Sequence, residues 1–162
     1  MKEVSSQTPP LLPIRVIDVD THGQARIIEM AGIRANYRTL SYCWGQGKKL
    51  LCKKRSGSYE QFKQELPVDD SMPKTFRDAL KVTRVLGYRF LWIDALCIVQ
   101  DDPDDVRNEM AMMGDIYQQS ALTIFAANGP DTDSDLFSKR DARAIKTCNN
   151  RVTLERGTSK HL

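Results

Sequence analysis

The sequence predicts an α/β fold with a mainly parallel central sheet. Three observations carry that expectation. Between Tyr37 and Ala126 the patterning runs strand, helix, strand, helix, strand, an order that calls for crossover connections and parallel pairing. Phe90–Ile93 (FLWI) is continuously apolar, as a strand covered on both faces must be. The next helix is announced by Asp102-Pro103-Asp104-Asp105: a cap, a first-turn proline and two carboxylates at the positive end of the dipole.

Each element follows in order. Residues 1–12, rich in proline, predict a flexible arm ahead of a domain over 13–140. Ile14–Val19 (IRVIDV) alternates as a half-buried strand does, His22-Gly23 is a turn, and Ala25–Met30 returns as the second arm of an N-terminal β-hairpin. Tyr37–Trp44 is a third strand, stopped by Gly45-Gln46-Gly47. Residues 48–60, with Lys48, Lys49, Lys53, Lys54 and Arg55, predict an exposed basic loop. Pro73 suits the start of a helix whose buried face is Phe76, Ala79, Leu80, Thr83 and Leu86, with Gly87 as its left-handed stop. Val106, Met110, Met113 and Tyr117 define the buried face of the next helix, and Leu122–Ala126 is the following strand. Residues 128–140 form a polar, Asp-rich loop. Residues 141–162 are a basic tail or a truncated continuation of the domain, with Arg151–Leu154 as one more strand candidate.

Composition excludes several classes. The 162 residues suffice for one ordinary domain, and 41% hydrophobic with 28% charged is a globular balance. A net charge of +3 is too mild to imply specific nucleic-acid binding. No apolar run reaches the length of a membrane span, and the start has no apolar core of a signal peptide, so a cytoplasmic protein is expected. Cys43, Cys52, Cys97 and Cys148 lack ligand spacing and read as reduced structural thiols. With only His22 and His161 beside them, no metal site is expected.

Ligands of open parallel sheets bind beyond the carboxyl ends of the strands. That rule selects Asp94, at the end of an apolar strand, held either by donors of a neighbouring loop or for a ligand. Trp44 beside Gly45 reads as a stacking surface or as a lid on the core. Glu109, early in the second helix, is an ordinary exposed residue or points back to the strand ends. Ser41, Trp44, Asp94, Gln100 and Glu109 are expected to converge on one shallow cleft, with Asp101 and Gly45 alongside. Gly45-Gln46-Gly47-Lys48-Lys49 lacks the spacing and hydroxyl of a phosphate loop, and the Asp101–Asp105 run lacks the ligand alternation of a calcium loop.

Several segments together resemble one family. LSYCWG at 40–45, the stretch from Leu66 through WIDALCIVQDD to Asp102, and NEMAMMGDIYQQSALTIFAA at 108–127 resemble the heterokaryon-incompatibility (HET) domain of filamentous fungi. PIRVIDV and SDLFSKR resemble the flanks of a common subgroup. Two positions depart from the pattern: Val106 stands where many members carry Trp, and Asp135 where a Gly usually precedes Leu-Phe. The resemblance implies a TIR-like (flavodoxin-like) three-layer fold and a role in programmed cell death and innate immunity.

What the resemblance implies about function divides three ways. The first is a signalling module that docks on protein partners or on itself and triggers death on non-self recognition. The second is a TIR-like hydrolase of NAD, with Asp94 or Glu109 as the carboxylate and Trp44 or Trp92 as the aromatic surface. The TIR catalytic Glu follows the strand matching Leu122–Ala126, where the next glutamate is the distant Glu155, so signalling takes precedence. The third is nucleotide binding without turnover. On the binding side the expectation rests on Ser41, Trp44, Gly45, Gln100 and Asp101.

Overall fold

The computed structural model describes residues 8–19, 24–47, 49–127 and 130–137. The His22-Gly23 turn and the strand candidate at 151–154 lie outside them. The described chain forms β1 (Arg15–Asp18), β2 (Arg26–Glu29), β3 (Tyr37–Ser41), α1 (Ser58–Gln64), α2 (Lys74–Val85), β4 (Phe90–Trp92), α3 (Asp94–Cys97), α4 (Pro103–Gln119) and β5 (Leu122–Phe125).

The strands make one sheet in the order β2-β1-β4-β3-β5. β4 pairs with β3, and β3 with β5, in parallel; β1 pairs antiparallel with both β2 and β4. The expected mainly parallel sheet is therefore corrected to a mixed one, half of whose pairings are antiparallel. The overturning element is β1. It was read as the half-exposed arm of a separate hairpin, but all four of its residues are buried. Its polar positions are covered because each carries an ion pair: Arg15 with Asp105 and Glu109, and Asp18 with Arg89. Alternating polarity imitates solvent exposure when the polar residues are paired inside.

The other elements fall where their patterning puts them. β4 lies at the centre of the sheet, and Trp92 is fully buried with its ring edge-on to Tyr117 at 5.7 Å. α2 stops at Gly87, whose φ of 74° is left-handed and whose N–H closes on the Arg84 carbonyl. Asp102 caps α4 by accepting from the amides of Asp104 and Asp105, with Pro103 in the first turn. Tyr37 donates its hydroxyl to the Ile116 carbonyl and Thr39 bonds Ser120, whereas Tyr42 packs edge-on against Phe76 of α2. Tyr37 and Thr39, two apart, project from one face of β3, and that face is turned to α4 and the Ser120 that follows it.

Three helical details differ from expectation. Leu86, expected on the buried face of α2, lies just past its last residue and is 47% exposed. Within residues 48–60, read as a basic loop, the end is helical, with α1 opening after Gly57 at φ 76°. On α4 the buried positions are Glu109 and Ile116, while Met110 is 60% exposed. Val106, Met113 and Tyr117 do pack against the core, but an apolar-only pattern cannot flag an ion-paired glutamate as the deepest residue of the helix.

Candidate functional site

β3 and β4 run parallel with Thr39 opposite Trp92, so the segments after them, Tyr42–Gly45 and Asp94–Gln100, leave the sheet side by side. Asp94 joins them. Its Oδ1 accepts the Tyr42 hydroxyl at 2.7 Å and the Ala95 amide at 2.7 Å. Its Oδ2 accepts the Trp44 indole N–H at 2.9 Å. Burial and the adjacent Asp94 carboxylate hold the Tyr42 phenol far above its ordinary range, so it remains a donor. Gln100 completes the loop by donating Nε2 to the Asp94 carbonyl at 3.0 Å and to the Ile98 carbonyl at 3.2 Å. The product is a rigid turn that presents Trp44, 40% exposed, at the rim.

Glu109 belongs to a different cluster. Arg15 donates Nε to the Cys97 carbonyl at 2.6 Å and an η-nitrogen to both Asp105 oxygens at 2.6 Å and to Glu109 Oε1 at 3.2 Å. Asp105 also accepts the Val99 amide at 2.8 Å. Arg15 is 6% and Glu109 1% exposed, and Glu109 Oε2 has no partner among the described residues. Burial raises the Glu109 pKa, opposed by the charge of Arg15 and reinforced by Asp105. Burial lowers that of Arg15, but its bonds and charges from Asp105 and Glu109 more than offset this, and its pKa is raised. The cluster clamps β1, the end of α3 and the start of α4 together, beneath the loop that carries Gln100.

The remaining expected residues hold loops. Asp101 accepts the amides of Lys54 and Arg55, each at 2.8 Å, which depresses its pKa. Asp102 takes the Lys54 ammonium at 2.7 Å. Gly45 has φ 51°, and a Cβ there would overlap the Pro130 carbonyl and Asp131, so glycine is required on both counts. The Asp-rich stretch 130–137 lies over this turn and is tied to α2: the Thr75 amide donates to the Thr132 carbonyl at 3.0 Å, its hydroxyl to the Ser134 carbonyl at 2.8 Å, and Lys74 pairs with Asp135.

Ser41, Trp44, Gly45, Asp94 and Gln100 thus gather at the strand ends, Asp101 anchors the neighbouring basic segment, and Glu109 lies apart in the buried clamp. Sequence reasoning did not single out Arg15, and it gave Tyr42 no role as a donor to Asp94 and Asp105 none as a partner of Arg15. Their signals were present: an arginine inside an apolar strand, and two carboxylates four apart on a helix. Cys52 and Cys97 are buried, and burial pushes the first thiol up to about 11 and the second higher still, so neither is poised as a nucleophile. Among the described residues no cluster of His, Cys, Asp and Glu is arranged to hold a metal ion, and no helix is long and apolar enough to cross a membrane.

Compared with known proteins, residues 37–161 match the family model described as "Heterokaryon incompatibility protein (HET)". No curated protein and no solved structure matches the chain.

Proposed function

The chain belongs to the heterokaryon-incompatibility (HET) family, and on that premise we propose that it is a signalling module that triggers programmed cell death on non-self recognition in filamentous fungi. It acts in the cytoplasm by docking on a protein partner and by self-association. The supporting observation is the use of Asp94. Its carboxylate is engaged by three donors, one of them the indole of Trp44. A carboxylate so engaged acts as a post that fixes an aromatic side chain at the surface. A rigid, part-exposed tryptophan is the kind of residue that anchors protein interfaces.

The NAD-cleaving alternative needs a carboxylate open to the ribose. Asp94 carries its three donors, and Glu109 is 1% exposed against Arg15, so the arrangement favours docking over turnover. Expression of Trp44→Ala and Asp94→Asn in a fungal host, with stability measured on the same purified variants, tests the reading. Trp44→Ala is expected to fold and to lose killing. A folded Trp44→Ala that still kills, or nicotinamide released when the wild type is incubated with NAD, overturns it.

A further inference from the structure

The two edges of the sheet are treated differently. β2, at one edge, carries Arg26 and Glu29 at its ends, and α1 reaches it through Tyr59, whose hydroxyl bonds Glu29. Charges and a covering element are the ordinary means of keeping an edge strand from pairing with another chain. β5, at the other edge, has none of them among the described residues. From Ser120 to Ala127 the sequence SALTIFAA contains no charge and no proline. Among the described residues nothing pairs with its outer side. Phe125 is 69% and Leu122 44% exposed, and being three apart they project from opposite faces of the strand. Among the described residues the edge therefore offers unpaired backbone groups flanked by apolar side chains on both faces.

Charge decides between occupants. A strongly charged partner would find no counter-charge along SALTIFAA. In a twofold contact every residue near the axis meets its own counterpart, so any charge there is repelled by its copy. A wholly neutral strand avoids that cost. We propose that β5 is a self-association edge: two copies pair β5 with β5, antiparallel about a twofold axis, joining two five-stranded sheets into one and covering Phe125 and Leu122. This rests on the self-association part of the function proposed above and gives it a location.

Sedimentation of the 162-residue chain across a concentration series tests the proposal, with wild type, Phe125→Lys, Leu122→Lys and a control, Leu86→Lys, whose exposed leucine follows the last residue of α2. The wild type is expected to dimerise reversibly, with β5 amides gaining protection from hydrogen exchange as dimer forms. Either β5 variant should weaken dimerisation roughly tenfold or more with an unchanged circular dichroism spectrum, and Leu86→Lys should not. Two β5 variants guard against one that misfolds. A wild type that stays monomeric at its highest soluble concentration overturns the proposal, as does a dimer indifferent to both β5 lysines. So does a monomer with fully protected β5 amides, which would assign the edge to later residues of the same chain. None of these outcomes bears on whether Trp44 is needed for killing, so the two readings fail separately.

Discussion

Trp44 and Asp94, fifty positions apart, are joined by a 2.9 Å hydrogen bond from indole N–H to carboxylate. Asp94→Ala removes the acceptor for this donor, for the Tyr42 hydroxyl and for the Ala95 amide together. The expected loss is about 2–3 kcal/mol, below the sum of three charge-assisted bonds because Trp44 regains water. A urea titration followed by tryptophan emission measures it, and the folded variant's emission should shift to the red as Trp44 is released. A midpoint equal to wild type's would remove Asp94 as the organiser of the rim.

Arg15 and Glu109 predict a pH dependence with a definite sign. The Glu109 pKa is raised in the folded state, chiefly by burial. Folding therefore favours its protonated form: this contribution to stability is complete below the ordinary glutamate value of about 4.3 and is lost as pH rises through the raised one. Glu109→Gln should flatten the stability profile above that value and be at least as stable as wild type at neutral pH. Arg15→Leu leaves the buried Glu109 and the part-buried Asp105 without their cation and should cost about 3–5 kcal/mol at neutral pH, less in mild acid. Denaturant titrations over a pH series check both, and an Arg15→Leu protein as stable as wild type at neutral pH contradicts the clamp.

Two glycines should respond oppositely to alanine. Gly45→Ala meets a left-handed φ and the backbone of Pro130 and Asp131, and should cost about 1–3 kcal/mol while loosening the 130–137 segment. Gly114, inside α4, has nothing within 4 Å of a new Cβ, and Gly114→Ala should stabilise by about 0.5–1 kcal/mol. Thermal melts of the two variants give the comparison directly. If Gly45→Ala melts like wild type, the close approach of the 130–137 segment is not a constraint in solution.

Much of this fold was legible in the sequence because local signals coincide with global roles. FLWI is apolar on both faces because it occupies the centre of the sheet, and Asp102-Pro103 and Gly87 mark helix ends by local chemistry alone. The place of β1 was not legible. Arg15 and Asp18 look like solvent-facing residues until their partners, far away in sequence, are brought to them. The same blind spot touched α4: Val106, Met113 and Tyr117 pack against the core as their spacing predicts, but Met110 does not, and the ion-paired Glu109 is buried on that helix instead. At the rim, the strand-end rule named Trp44, Asp94 and Gln100, which hydrogen bonds join, but it also named Glu109, which lies in the buried clamp instead. Tyr42 was missed as a donor, since hydrogen bonds between loops leave no periodic trace.

The insertion of β1 beside β4 has a bearing on how the chain is born. During synthesis β1 and β2 emerge well before β4, so Ile17 has Ile27 as its partner long before it can meet Leu91. A lone two-stranded hairpin is marginal in water. Until the ribosome has delivered α4, which comes later still, Arg15 also lacks the carboxylates that make its burial tolerable. The N-terminal hairpin therefore waits in a provisional state, and productive closure of the sheet is set by a long-range encounter, the slow kind of step in β-rich folding. A pause in translation before β4 would lengthen that wait and extend the time in which nascent chains can pair with each other instead.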